Sequence, residues 1–323
     1  MSASIKSAGS SMKYTMNGIL NIYKPSGPSS FAVVHSVKKI IEVRKAGHIG
    51  TLDPLAEGIL PVCFNKATKI IQFLTKLSKV YTATMLLGAA TDTQDATGKI
   101  ISEKNAAAVN EADVKAVLRK FQGDLRQVPT MFSAKKKDGV PLYKLARNGI
   151  TIDRQAAAIH IYSLEFLEKA GNRVVFRVHC SAGTYVRTLC HDIGAQLGCG
   201  AHMLALSRDR IGDFNKTNSV SLEGLQAAKR NGTLDENIFR MEQVLGFLPE
   251  IRIKNNHTKA VANGTALSKS FLETFPKQFQ PGTKFRVSAG SHLVAVVESL
   301  TDQDDFARLG PEGVAFKLKR VFA

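Results

Sequence analysis

Residues 47–61 read Gly47-His48-Ile49-Gly50-Thr51-Leu52-Asp53-Pro54-Leu55-Ala56-Glu57-Gly58-Ile59-Leu60-Pro61. Three glycines and two prolines in fifteen residues are incompatible with a helix interior or a central strand. Glycine opens backbone angles closed to other residues, and proline fixes φ and removes a donor. The stretch lies between two apolar segments, so a shaped loop is expected here and not a linker. Asp53 stands between Leu52 and Pro54, and the proline biases it towards extended geometry. A rigid loop presenting one acid could aim a nucleophile or a general base. It also suits an Asx-type turn whose carboxylate caps backbone N–H groups, the commoner use of a turn aspartate.

Around this loop the hydrophobic period alternates between strand and helix. Residues 18–23 form an apolar strand closed by Lys24-Pro25-Ser26-Gly27-Pro28. Ser29 or Ser30 then caps a helix with Val33, Val34, Val37, Ile40 and Ile41 on one face. A buried strand over 59–64, a helix over 67–77 and a strand over 79–88 follow, with a further helix over 111–121. Strands over 158–168 and 173–181 pair across Gly171-Asn172. Gly183-Thr184 opens a helix, 201–211 is a strand, and 222–230 and 234–245 are helical. Beyond Gly246-Phe247-Leu248-Pro249 the texture shifts to short β segments, at 284–289, 293–298 and 314–320. An α+β chain is expected, with a large mixed domain over 18–247 and a compact β-rich unit over 248–323.

Charge points to the class of partner. The chain has 44 Lys and Arg against 27 Asp and Glu, a net +17, and a pI near 9.8. That balance suits a polyanion, nucleic acid above all. Residues 119–154 concentrate it, with nine basic residues against three aspartates, +6 in 36 residues. Lys135-Lys136-Lys137-Asp138-Gly139 reads as an exposed hairpin or loop tip, and Tyr143, Lys144 and Arg147 share one face of a short helix after Pro141. A merely solvated loop would have the same composition.

No apolar run reaches the length of a bilayer span, and residues 1–17 lack the apolar stretch of a signal peptide. A cytoplasmic protein with a disordered N-terminal extension is expected. Cys63, Cys180, Cys190 and Cys199 are too scattered for a disulfide framework. Three of them neighbour His179, His191 and His202, but without C-x₂-C spacing, so no metal site is expected. Glycine-rich phosphate-binding motifs are absent as well, and no cofactor is expected.

Several ordered blocks carry a resemblance. They are Gly18-Ile19-Leu20-Asn21-Ile22-Tyr23-Lys24-Pro25, residues 47–61 with Ala67-Thr68-Lys69, and Thr91-Asp92-Thr93-Gln94-Asp95-Ala96-Thr97-Gly98. Tyr143-Lys144-Leu145-Ala146-Arg147-Asn148-Gly149, Cys180-Ser181-Ala182-Gly183-Thr184-Tyr185-Val186-Arg187-Thr188 and Leu197-Gly198-Cys199-Gly200-Ala201-His202 follow in register. Together they resemble bacterial TruB-type tRNA pseudouridine synthases over roughly 18–215, and the ending Lys319-Arg320-Val321-Phe322 is also family-like. The resemblance implies a pseudouridine synthase mixed β-sheet domain with flanking helices, an RNA-binding insertion over 119–154, and a PUA-like RNA-binding C-terminal domain. It implies isomerisation of the T-loop uridine of tRNA, position 55, with the T-arm as partner, no cofactor and no obligate protein partner, hence a monomer.

By the same resemblance Asp53 is the nucleophile, Tyr81 packs against the target base and Arg187 pairs with the aspartate. His48, Tyr185 and Leu206 match positions that contact RNA or line the pocket. Lys24, Lys69 and Asp95 match family blocks as substrate-binding positions, and Lys135, Lys136, Lys137, Lys144 and Arg147 would hold the tRNA. The chain departs from the commonest pattern at Ala182, where lysine is frequent, and at Glu57, where a small or polar residue is frequent.

The chemistry suits these residue types. Turning uridine into its C-glycoside breaks N1–C1′, reorients the uracil and joins C5 to C1′, with no net redox change. A carboxylate can hold one fragment while the other turns. Burial alone would protonate it, and a facing guanidinium opposes that. Three rivals share parts of the pattern: a non-catalytic RNA-binding protein, a synthase working within a guide-RNA particle, and a glycoside hydrolase. The last needs a second carboxylate, for which Asp95 is the loop candidate.

Overall fold

The computed structural model describes residues 17–133 and 135–322, so the expected extension over 1–17 lies, Asn17 apart, outside the described residues. The strand Lys79–Leu87 shows how pattern becomes position. Its burial alternates strictly, sending Lys79, Tyr81, Ala83, Met85 and Leu87 inward. It pairs antiparallel with Arg173–Cys180 on one side and Ala201–Ile211 on the other, at the middle of a ten-stranded sheet. The order across the sheet is Ile238–Phe239, Gly18–Lys24, Glu57–Phe64, Ala201–Ile211, Lys79–Leu87, Arg173–Cys180, Ala157–Ala170 and Gly123–Gln127. Ala46–His48 adds to Glu57–Phe64, and Phe214–Asn215 to Ala201–Ile211. Glu57–Phe64 and Ala201–Ile211 pair parallel, through Glu57 with Ser207 and Gly58 with Arg208. That two-residue seam lies directly after the loop that carries Asp53.

Helices Ser30–Ile40, Glu111–Lys120, Val186–Gln196 and Leu222–Asn231 pack into one core with the sheet, burying Val33, Val37, Val114, Leu189, Ile193 and Leu225 against Leu60, Met85, Phe176 and Val178. Ser29 caps the first helix by accepting from the Ala32 N–H, and Asn110 with Asp113 forms a capping box on the second.

Three expectations change. The helix over 234–245 is broken into the 3₁₀ turn Leu234–Asn237, the strand Ile238–Phe239 and the single turn Met241–Val244. Ile238 and Phe239 pair with Leu20 and Ile19, so a sheet edge overrides local helical propensity. The helix over 67–77 is the 3₁₀ segment Asn65–Ile70 followed by Ile71–Leu74. A repeat of three brings Ala67 and Ile70, both fully buried, onto one line. The stretch 47–61 is a loop only between its flanking strands, because Glu57–Pro61 already belongs to Glu57–Phe64. Pro61 is tolerated there because its carbonyl accepts from the Ile49 N–H at 2.9 Å. Its missing donor faces that same edge and not the ladder with Gly18–Lys24.

The C-terminal residues form a second, six-stranded sheet in the order Leu267–Ser268, Val314–Val321, His292–Ser299, Lys284–Ala289, Glu250–Ile253 and Leu272–Thr274. Phe279, Phe285, Phe306 and Phe316 centre its core. Leu293, Val296 and Phe322 leave that core and join Ile19, Ile59, Phe73 and Leu245 in a cluster shared with the first sheet. Among the described residues no helix is long and apolar enough to cross a membrane.

Candidate active site

The loop between Ala46–His48 and Glu57–Phe64 is fixed by main-chain hydrogen bonds. The Ser30 hydroxyl accepts from the Leu52 N–H and donates to the Leu52 carbonyl, both at 2.8 Å. Gly27 N–H donates to the Pro54 carbonyl at 2.8 Å, and Ala56 N–H to the Asp53 carbonyl at 3.1 Å. Lys24, fully buried beneath the loop, donates to the carbonyls of Pro25, Pro54 and Ala56. These contacts fix the Asp53 backbone on both sides and leave its carboxylate facing a cavity of about 290 Å³, at the small end of the range for small-molecule sites.

Arg187, at the start of the helix Val186–Gln196, places its Nε 3.0 Å from an Asp53 carboxylate oxygen. Its Nη1 lies 3.5 Å from Asp95 and donates to the Thr93 carbonyl at 3.3 Å, while Nη2 donates to the Phe132 carbonyl at 2.8 Å. Asp95 is buried and accepts from the Thr93 hydroxyl, the Thr97 hydroxyl and the Thr97 N–H. It orients the guanidinium from behind. Three distant segments thus meet on one side chain, which is only 7% exposed.

The electrostatics do not balance at Asp53. Its side chain keeps 38% of its surface open, yet the protein around it removes enough water to push its pKa up. Arg187 and Lys24 oppose that shift and Asp95 adds to it. Desolvation wins, so Arg187 offsets burial only in part. Burial also brings the Lys24 ammonium down to about 8.

Tyr81, Leu206, Tyr185 and Arg187 line the same cavity as Asp53. Tyr81 and Leu206 are buried, on neighbouring strands. Tyr185 is held by Gln127, whose amide accepts from its N–H at 2.8 Å and donates to its carbonyl at 3.0 Å. His48 lies on the strand Ala46–His48 beside the loop. Its Nδ1 is buried with no hydrogen-bond partner among the described residues, and burial lowers its pKa, which favours the neutral ring at pH 7. Lys69 lies outside the cavity lining and donates to the Val321 carbonyl at 3.0 Å.

In the insertion, Lys136–Lys137 and Val140–Pro141 pair as a short hairpin. Asp138 and Gly139 form its turn, both with positive φ, the geometry of a type I′ turn. Lys135, Lys144 and Arg147 are exposed, the last over the Tyr143 ring at 5.5 Å. The side chains of Lys136 and Lys137 lie outside the described residues.

Two cations in the cavity lining were given no role from sequence, Lys79 and Arg208. The signal was present in the period of two. Lys79 shares a strand face with Tyr81, and Arg208 with Leu206. The Lys79 ammonium donates to the Thr75 and Leu77 carbonyls, and burial brings it down to about 8. Among the described residues no group of three His, Cys, Asp or Glu is placed to hold a metal ion. The four cysteines are buried free thiols.

A pocket with one carboxylate, a bridging guanidinium and an aromatic floor can take a flat, neutral, polar ring. Comparison with known proteins gives the reaction. The family model described as TruB family pseudouridylate synthase (N terminal domain) matches residues 38–186, and the tRNA pseudouridylate synthase B C-terminal domain matches 187–246. The chain is 42% identical to the tRNA pseudouridine synthase B of Pelotomaculum thermopropionicum, over 91% of this chain and 95% of that protein. It is 45% identical to the one of Clostridium acetobutylicum, over 81% and 89%. Among solved structures it is similar to a chain in an H/ACA RNP bound to a substrate RNA containing 2′-deoxyuridine, with TM-score 0.75 and 30% identity over 95% of this chain and 85% of that one. A chain of a Cbf5-Nop10-Gar1 complex gives TM-score 0.76 and 31% identity at the same coverage. The chain belongs to the TruB family of pseudouridylate synthases, isomerases that make pseudouridine in tRNA.

Proposed function

We propose that the cavity isomerises the T-loop uridine at position 55 of tRNA, with Asp53 as nucleophile and the target nucleotide flipped out of its loop. The observation that carries this reading is the Asp53 carboxylate, gripped by Arg187 at 3.0 Å and open to a cavity lined by Tyr81 and Leu206. A carboxylate so held can attack C1′ and displace the uracil, add to C6 before the N1–C1′ bond breaks, or take a proton from C2′ as that bond breaks. The uracil then turns to present C5 to C1′. Arg187 favours the ionised form of the acid that performs this step. Tyr81 offers an apolar face on which the ring can rest as it turns. Extruding the base costs a few kcal/mol. His48, neutral and beside the loop, is suited to fill the vacated stack.

The insertion supports direct capture of the RNA. Exposed Lys135, Lys144 and Arg147 offer phosphate contacts, and the same segment supplies the Phe132 carbonyl to Arg187 and Gln127 to Tyr185. RNA gripped here is therefore mechanically continuous with the catalytic side chains. The six-stranded C-terminal unit, read as PUA-like, would extend the grip by charge and shape. We read the whole as an enzyme that finds the T-arm by itself in the cytoplasm. To test position, an unmodified tRNA transcript is incubated with the protein and pseudouridine is mapped at each uridine. One T-loop site is expected, and none when that uridine is replaced by cytidine. Product spread over other uridines would contradict the assignment.

A further inference from the structure

The cavity has a buried cation that the chemistry above does not use. Arg208 is 1% exposed and heads the largest fully buried side chains among the described residues. No described carboxylate lies among the groups that set its charge state. A guanidinium in that position is costly unless its donors are met. They are met by main chain: Nε donates to the Ile59 carbonyl at 2.7 Å, Nη2 to Gly50 at 3.0 Å and Nη1 to Thr51 at 3.4 Å. The same group faces the Tyr81 hydroxyl.

The places of these acceptors matter. Gly50 and Thr51 lie before Asp53, and Ile59 lies after it, so one rigid fork ties both limbs of the loop together. Lys24 holds Pro54 and Ala56 separately. The fork can sit so close because Gly58 has no side chain. A Cβ there would meet the Arg208 main chain. A lysine at 208 would put one compact ammonium on a flexible stem in place of the planar fork, and would lose the fixed spacing between the two limbs.

We propose that Arg208 is a positioning residue for the isomerisation. By joining the two limbs of the loop it sets where the Asp53 carboxylate stands, and through its hydroxyl partner it fixes the Tyr81 ring against which the base turns. The inference rests on Asp53 being the nucleophile. A purely structural arginine would change the fraction of folded protein. A positioning arginine changes the rate of chemistry in protein that is folded and has bound tRNA.

The test uses full-length Arg208→Lys, Arg208→Ala and Asp53→Asn with saturating unmodified tRNA transcript. Misplacing a reacting group by about an ångström costs about 100-fold, so the two arginine variants should lose about that factor in single-turnover rate, with tRNA Kd within about two-fold of wild type. Millimolar guanidinium, which can reoccupy the site, should restore at least about ten-fold in Arg208→Ala and nothing in Asp53→Asn. A single-turnover rate for Arg208→Lys within about three-fold of wild type would overturn the inference, as would a loss confined to Kd. Should Arg208→Ala not fold, Arg208→Lys, which keeps a buried cation, decides alone. Asp53→Asn separates the two failures. An active Asp53→Asn defeats the nucleophile reading, whereas an inert Asp53→Asn beside a normal Arg208→Lys defeats only the role of Arg208.

Discussion

Replacing Gly58 by alanine tests how the fold positions the site. Gly58 adopts φ +107°, and a Cβ at this position would lie 2.3 Å from the Arg208 carbonyl oxygen, 2.7 Å from its nitrogen and 2.9 Å from its carbonyl carbon. All three atoms are main chain, so no side-chain rotation relieves the overlap. A side chain held in that region of backbone space costs about 1–3 kcal/mol. Forcing the two strands apart adds about 1–3 kcal/mol of overpacking. The sum, roughly 2–6 kcal/mol, is a large share of the ~5–15 kcal/mol that holds most domains folded. The parallel seam is only two residues long, so it should give way first, carrying Arg208 away from the Ile59 carbonyl. Equilibrium urea unfolding and single-turnover pseudouridine formation read the two consequences. We expect Gly58→Ala to lose at least about 2 kcal/mol of stability, and the folded fraction to react at least about ten-fold more slowly. A variant within about 1 kcal/mol of wild type that reacts at the wild-type rate would refute the close approach as the reason for glycine.

Three further outcomes follow from the same structure. Because desolvation outweighs Arg187 at Asp53, the single-turnover rate should rise with pH through a value above the ordinary aspartate 3.8; a limb at or below that value contradicts the imbalance. Lys79 is brought down to about 8 from 10.5, so between those values the unfolded chain binds a proton that the folded one does not, and stability rises with pH. Wild type should therefore gain stability relative to Lys79→Met as pH rises across that window, and a constant difference would exclude it. Removing Lys144 and Arg147 together should flatten the dependence of log affinity for tRNA on log salt by about 0.7–0.9 per lost phosphate contact, whereas an unchanged slope would place the RNA elsewhere.

Local periodicity made much of this fold legible. The strand Ala201–Ile211, the cap at Ser29, the hairpin turn after Ala170 and the Asp138–Gly139 tip all follow from patterns confined to a few residues. Asp53 stood out for the same reason, a lone acid in a loop rich in glycine and proline. Features that depend on distant partners were not legible. Ile238–Phe239 leaves its helix to pair with residues more than two hundred positions earlier. Arg208 and Lys79 carried no signal of burial in the sequence, because such side chains are seldom fully buried. Their burial depends on carbonyls of Gly50 in the loop, of Ile59 just past the two-residue parallel seam and of the Thr75–Leu77 turn, which accept from these side chains. Asp95 acquires its place only when the fold brings it behind Arg187.

The central claim is that the Asp53 carboxylate does the chemistry, and Asp53→Asn tests it most directly. The substitution keeps the shape and removes the charge. A raised carboxyl pKa means that ionisation opposes folding, a cost that grows as pH climbs through the folded value. The variant should therefore unfold no earlier than wild type at neutral pH. It should bind unmodified tRNA transcript as wild type does and form no pseudouridine in a single turnover. Pseudouridine at a rate comparable to wild type, from folded and tRNA-bound Asp53→Asn, would contradict the account.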